Sequence, residues 1–164
     1  MNIAVIGCGS IGSKYADWLS ELGENVAVFD NDSEKLKQFD TNDKVKTFNS
    51  FDEILNDAPA KVIIATPPNY HADVAISAMQ SGADVLIEKP ITANLEDAER
   101  IIAACVSLGK SAWVVCNMRY HPGVQAVSEA LKELGRPLCV RAHFSHRLSQ
   151  MRPAGVDVYA ASTK

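Results

Sequence analysis

Six residues near the start, Gly7-Cys8-Gly9-Ser10-Ile11-Gly12, constrain this chain more than any other stretch. A short apolar run, Ile3-Ala4-Val5-Ile6, leads into them. Residues 11–22 then carry Ile11, Tyr15, Trp18, Leu19 and Leu22 at helical spacing, and Gly23 stops the helix. A second apolar run, Val26-Ala27-Val28-Phe29, ends on an acid, Asp30. Glycine triplets arise by chance, but strand, tight turn, helix, strand and acid in this order form the context in which they bind a dinucleotide. Gly7 lets the chain turn off the strand, Gly9 lets a pyrophosphate approach the backbone, and Gly12 lets helix and strand pack closely. Free N–H groups at the helix start, around Ser10 and Ile11, then point at the phosphates, where the helix dipole favours negative charge.

Asp30 falls about twenty residues beyond the glycines, where an acid accepts hydrogen bonds from the adenosine ribose. The same carboxylate repels a 2′-phosphate, and Asp32 adds to that repulsion. Lys35 and Lys37 are expected on the helix beyond. The cofactor expected is therefore NAD, with NADP disfavoured.

The rest of the chain repeats the alternation. Strands are expected over residues 2–6, 26–29, 45–48, 62–65, 85–87 and 112–116, and helices over 11–22, 34–39, 51–55, 71–81, 95–108 and 122–134. Ser50 and Asn94 are candidate N-caps, and Gly82 and Gly109 candidate stops. In the helix over 71–81, Val74, Ala75, Ala78 and Met79 point inward. Continuous apolar strands such as Val62-Ile63-Ile64-Ala65 are those of a parallel sheet covered on both faces. The fold class is α/β, a doubly wound parallel sheet of the Rossmann type. Residues 137–145 differ: Leu138, Val140, Ala142 and Phe144 alternate with Arg141, His143 and Ser145, as in a strand with one exposed face. The expected organisation is a dinucleotide-binding domain over 1–120 and, over 121–164, the start of an incomplete α+β second domain.

Composition excludes several classes. A net charge of -4 argues against nucleic acid as a partner. No apolar span is long enough for a membrane helix. The first strand follows Met1 directly, which leaves no room for a signal peptide and implies a cytoplasmic protein. Cys8, Cys105, Cys116 and Cys139 match no zinc or CxxC spacing and are expected as free thiols. Cys8 sits at a helix N-terminus, where a thiol pKa falls; a redox role and a small loop-filling residue are both open. The histidines His71, His121, His143 and His146 form no metal set.

Four runs in order carry a family resemblance: the glycine turn; Ala65-Thr66-Pro67-Pro68-Asn69-Tyr70-His71; Gly82-Ala83-Asp84-Val85-Leu86-Ile87-Glu88-Lys89-Pro90; and Asn117-Met118-Arg119-Tyr120-His121-Pro122. Over residues 1–150 the chain resembles the N-terminal half of the Gfo/Idh/MocA oxidoreductases, the glucose–fructose oxidoreductase and inositol dehydrogenase group. The resemblance implies that Lys89 is catalytic, hydrogen-bonding the substrate oxygen beside a nicotinamide. It also implies that Thr66, Pro67, Asn69, Glu88, Lys89 and Asn117 line the dinucleotide. His71 either bonds the cofactor or caps the helix and packs on its loop. Glu88 either orients Lys89 or pairs with it at the surface, a kind of contact that is worth little. Arg119 either binds a substrate or cofactor oxygen or caps a domain junction, and Tyr120 and His121 are weaker candidates.

The same resemblance implies hydride transfer between nicotinamide and a sugar, cyclitol or related polyol, and a possible homodimer. Relatives continue into a second domain that supplies the substrate pocket and a second catalytic group, commonly an Asp and a His on one helix. Here no Asp-x-x-x-His pair follows Arg119. A truncated product and a divergent short form are both open. So is a non-catalytic NAD-binding module, a sensor or assembly subunit without a substrate domain. A Rossmann protein with another ligand, such as CoA or a nucleotide sugar, is disfavoured by Asp30.

Overall fold

Strands β1 (Ile3–Ile6), β2 (Val26–Phe29), β3 (Val45–Thr47), β4 (Lys61–Ile64), β5 (Asp84–Ile87) and β6 (Ala112–Val114) form one sheet in the order β3-β2-β1-β4-β5-β6. All five pairings are parallel, with Ile6 opposite both Phe29 and Ile64, Ile64 opposite Ile87, and Ile87 opposite Val114. The computed structural model describes residues 3–137 and 139–143. Strand order reverses at β1, which has β2 on one side and β4 on the other. This is the switch point at which open α/β sheets bind ligands.

Side chains alternate along the strands, so each face of the sheet has its own core. Ala4, Ile6, Ala27, Phe29, Val62, Ile64, Val85 and Ile87 pack on one face with Ile54 of α2 (Phe51–Asn56), Ala75, Ala78 and Met79 of α3 (His71–Gln80), and Ile101 and Ala104 of α4 (Leu95–Leu108). On the other face Ile3, Val5, Val26, Val28 and Ile63 pack with Ala16 of α1 (Gly12–Glu21) and with Leu36 and Phe39. Val74, expected inward, is half-buried against the first cluster. Helix ends follow their caps. Ser50 accepts from the Glu53 amide, Asn94 from the Asp97 amide, and Gly109 closes α4 in the left-handed region.

Several expectations change. Helix α1 rests on the sheet through its small residues Gly12 and Ala16, with Tyr15 and Leu19 beside them, so Trp18 and Leu22 face outward. Trp18 instead packs edge-on against Tyr15. Residues 34–39, expected as one helix, are two 3-10 turns, Ser33–Lys35 and Lys37–Phe39. Asp32 caps the first, and each turn tightens to bury Leu36 and Phe39 rather than lay down a helical stripe.

The described residues up to Asn117 form one compact unit and those from Met118 a second. The second contains α5 (Pro122–Leu134), opened by Pro122 and by His121, whose Nδ1 accepts from the Gly123 amide. No side chain of this helix is buried. The strand expected over 137–145 is not formed at residues 139–143. A strand is held by a partner ladder, and among the described residues no strand pairs with this segment. Leu138, Phe144, Ser145 and His146 lie outside the described residues.

Candidate functional site

Because all strands run one way, the residues that leave them gather at one edge. Ladder bonds continue one step past the strands: Gly7 N–H donates to Phe29 O, Ala65 N–H to Ile6 O, Glu88 N–H to Ile64 O and Val115 N–H to Ile87 O, all at 2.8–2.9 Å. Gly7, Asp30, Ala65, Glu88 and Val115 therefore emerge side by side. Thr66 and Lys89 follow one residue later.

The glycine turn is fixed by steric need. Gly7 has φ +93°, and a Cβ there would lie 2.8 Å from the Ala65 carbonyl and the Thr66 nitrogen. A Cβ on Gly12 would collide with the Gly7 carbonyl oxygen and lie 3.2 Å from the Ala65 Cβ. At Gly9 a Cβ would meet nothing within 4 Å. Packing thus demands the first and third glycines, while the second opens onto free space. Among the described residues the Ser10, Ile11 and Gly12 amides have no protein acceptor, whereas Ser13 N–H already turns back to Gly9 O at 3.0 Å.

Asp30 is tied into this turn. Its Oδ2 accepts from the Cys8 amide at 2.7 Å and its Oδ1 from the Asp32 amide at 2.9 Å. Lys35 Nζ sits 3.1 and 3.4 Å from the same two oxygens. Burial works against the charge, but the Asp32 and Cys8 amides and the Lys35 ammonium outweigh it and hold the carboxyl below its ordinary pKa. Lys35, expected on a helix leading away, instead folds back because its 3-10 turn is short.

At the β4 and β5 ends side chains set the geometry. His71 is buried at the start of α3, its Nε2 2.8 Å from Thr66 O and its Nδ1 3.1 Å from both Pro90 O and Ile91 O. Only carbonyl oxygens face the ring, so it pins the loop after β4 to the loop after β5. Pro67 and Asn69 are exposed around the 3-10 turn Pro68–Tyr70. Glu88 Oε1 accepts from Tyr15 OH at 2.6 Å, and Oε2 from the Lys89 amide at 3.1 Å. Burial, then the bond to Glu88, raises the Tyr15 pKa well above its ordinary value. Lys89 is exposed, and among the described residues its ammonium pairs with no carboxylate, Glu88 included.

The site fits a dinucleotide on three observations: open space above Gly9, unpartnered amides at the start of α1, and the Thr66 hydroxyl oxygen, which is buried without a hydrogen-bond partner. A family model described as "Oxidoreductase family, NAD-binding Rossmann fold" matches residues 1–116. The chain belongs to the Gfo/Idh/MocA oxidoreductases.

Within that family it is 30% identical over 158 residues to a UDP-N-acetylglucosamine 3-dehydrogenase of Acidithiobacillus ferrooxidans, covering 96% of this chain and 49% of that protein. It is 30% identical over 158 residues to an inositol 2-dehydrogenase of Rubrobacter xylanophilus, covering 92% and 45%. The WlbA dehydrogenase of Bordetella pertussis, solved in complex with NADH and UDP-GlcNAcA, superposes with a TM-score of 0.73 at 26% identity over 80% of this chain and 42% of that one. The chain spans about half the length of the curated relatives it matches.

The remaining candidates of this Gfo/Idh/MocA chain are placed as follows. Asn117 is exposed beyond β6 and closes the first unit, whereas Arg119 belongs to the second and is exposed there. Tyr120 is exposed in the same 3-10 turn, Asn117–Tyr120, and His121 is spent on capping α5. Cys8 is buried, and burial followed by the Asp30 charge pushes its thiol up to about 12, against the lowering expected at a helix start. A raised pKa keeps the thiol protonated, the opposite of the thiolate that a reactive cysteine needs. Among the described residues no cluster of His, Cys, Asp and Glu is arranged to hold a metal, and no helix is long and apolar enough to cross a membrane. A groove of about 230 Å³ lies around Val26, Lys44, Lys46 and Asp57, at the opposite end of the sheet from the glycine turn.

Two contributors escape a sequence reading. Tyr15 is legible only as an inward helix residue, and its partner lies 73 residues on. Lys35 carries a signal, its nearness to Asp30, but nothing in the sequence shows the turn that brings it back.

Proposed function

We propose that this chain is the cofactor-binding part of an NAD-dependent oxidoreductase acting on a hydroxyl or carbonyl of a sugar, cyclitol or related polyol. The observation that carries the reading is the glycine turn, where a Cβ on Gly9 would meet nothing and, among the described residues, the Ser10, Ile11 and Gly12 amides have no protein acceptor, beside an ionised Asp30. Gly7, Gly9, Ser10, Ile11 and Gly12 would hold the pyrophosphate, and Asp30 the adenosine ribose. Thr66, Pro67, Asn69, Glu88 and Asn117 would line the rest. When bound, the nicotinamide supplies or takes up a hydride.

Lys89 would then donate a hydrogen bond to the substrate oxygen and stabilise the charge that develops on it. Its exposed ammonium supports this role, because Glu88 is engaged by Tyr15 and the Lys89 amide and leaves the charge unpaired. The sugar and cyclitol class rests on the dehydrogenases to which the chain is similar. His71, with both ring nitrogens on carbonyls, is assigned to holding the loops rather than to touching the cofactor.

The test is titration of the purified chain with NADH, followed by assays for NADH production across sugars and inositols. Binding abolished by Asp30→Ala, with turnover abolished by Lys89→Ala, is the expected result. No affinity for NAD or NADH in a folded sample refutes the reading. Binding with no turnover on any substrate selects instead an NAD-binding module.

A further inference from the structure

We propose that Lys35 is a specificity-determining residue that lets the ribose site at Asp30 accept a 2′-phosphorylated nicotinamide dinucleotide as well as NAD; the proposal rests on the cofactor reading above. The expectation that Asp30 repels a 2′-phosphate treats its carboxylate as a free charge, and it is not free. A carboxylate offers about four lone-pair sites. Those of Asp30 are filled by the Asp32 amide and Lys35 Nζ on Oδ1, and by the Cys8 amide and Lys35 Nζ on Oδ2.

Of these donors only Lys35 yields readily. The two amides belong to the chain turns themselves. The lysine side chain is 44% exposed against 10% for Asp30, and an ion pair open to water on one side is held weakly. A ribose hydroxyl therefore reaches Asp30 by displacing the ammonium, which stays tethered beside the ribose edge. There it meets a 2′-phosphate as a cation, the part that an arginine near the acid plays in NADP sites. With an unphosphorylated ribose it swings into solvent.

The neighbouring charges leave this role to Lys35. Lys37 is paired with Glu34 at 2.7 Å. Asp32 is a remaining opposing charge, but its carboxylate is turned to the Glu34 amide as the cap of the 3-10 turn.

The experiment is titration of the 164-residue chain, as wild type, Lys35→Ala and Lys35→Arg, with NADH and NADPH separately, read by nicotinamide fluorescence. Wild type should bind the two within about tenfold of each other, the size of one charge-assisted contact. Lys35→Ala should weaken NADPH about tenfold or more and leave NADH within about threefold or tighter. Lys35→Arg should restore NADPH. Unchanged NADPH affinity in Lys35→Ala, or a wild type that binds NADH and rejects NADPH, overturns the proposal. Failure to bind either dinucleotide, with the circular dichroism of a folded chain, overturns the cofactor reading beneath it instead.

Discussion

At the β1 and β2 end of the carboxyl edge, main-chain atoms build the site; at the β4 and β5 end, side chains build it. Gly7 and Gly12 are there because no Cβ fits, and Asp30 is held by two backbone amides. Across the switch point, Tyr15 reaches from α1 to Glu88, and His71 reaches from α3 to Thr66, Pro90 and Ile91. The first end presents fixed dipoles suited to a phosphate, which every dinucleotide shares. Among the described residues the second leaves Lys89 unpaired and the Thr66 hydroxyl unsatisfied, groups suited to the part of a ligand where chemistry would occur. On the proposed reading the phosphate-binding determinants sit in the backbone, whereas the ribose acid Asp30 and the determinants of reaction are side chains.

If that contrast is right, the largest loss of stability follows a change at the first end. Gly7→Ala forces a side chain into a left-handed φ and against the Ala65 carbonyl. It should cost about 3–5 kcal/mol, strain and overpacking together, read as a lower urea midpoint at unchanged slope. A midpoint within experimental error of wild type would mean that the turn is softer than its geometry implies.

His71→Ala comes next. It empties a buried site and removes a ring whose two nitrogens sit against the Thr66, Pro90 and Ile91 carbonyls, at about 2–4 kcal/mol. It should also loosen both loops around Lys89, visible as faster amide hydrogen exchange after β4 and β5 with little change around the glycine turn. Equal loosening at both ends would dissolve the contrast between them.

Tyr15→Phe removes one hydrogen bond to a carboxylate and should cost about 1–2 kcal/mol. Its sign with pH is fixed by the raised Tyr15 pKa. A group whose pKa is higher folded than unfolded stabilises fully below its unfolded value, here 10.0, and loses that contribution as pH rises beyond it. The gap in melting temperature between wild type and Tyr15→Phe should hold from pH 7 to 9 and narrow above 10. A gap that widens with alkali contradicts the Tyr15–Glu88 bond.

Legibility in the sequence divides along the same line. The parallel, doubly wound sheet and its two-sided burial follow from apolar runs between helical stretches, and caps such as Ser50, Asn94 and Gly109 mark the helix ends. The glycine turn was readable because a backbone requirement leaves its mark at the position itself. Tyr15 and Glu88 were not readable as a pair, since periodicity gives the face of a helix but not which residue of a distant loop meets it. Trp18 and Leu22 obeyed the helical period yet point outward, because the two small residues Gly12 and Ala16 win the contact with the sheet. Lys35 was misplaced for a local reason, a 3-10 turn read as helix. The thiol of Cys8 rises rather than falls because burial and Asp30 outweigh the helix start.

The smallest expected change in stability tests the contrast most sharply. Gly9 is the glycine of the turn that packing does not demand: a Cβ there meets nothing within 4 Å, and its φ lies outside the left-handed region. Gly9→Ala should therefore alter stability by no more than about 0.5 kcal/mol, the range of an unconstrained surface change. The same methyl occupies the space where a pyrophosphate would approach the Ser10 and Ile11 amides, so NADH affinity should fall about tenfold or more, one charge-assisted contact at the least. Gly7→Ala damages fold and binding together, whereas Gly9→Ala separates them. Should Gly9→Ala destabilise the chain as Gly7→Ala does, the turn is structural throughout; should it leave both stability and NADH affinity intact, the phosphates do not lie against Gly9.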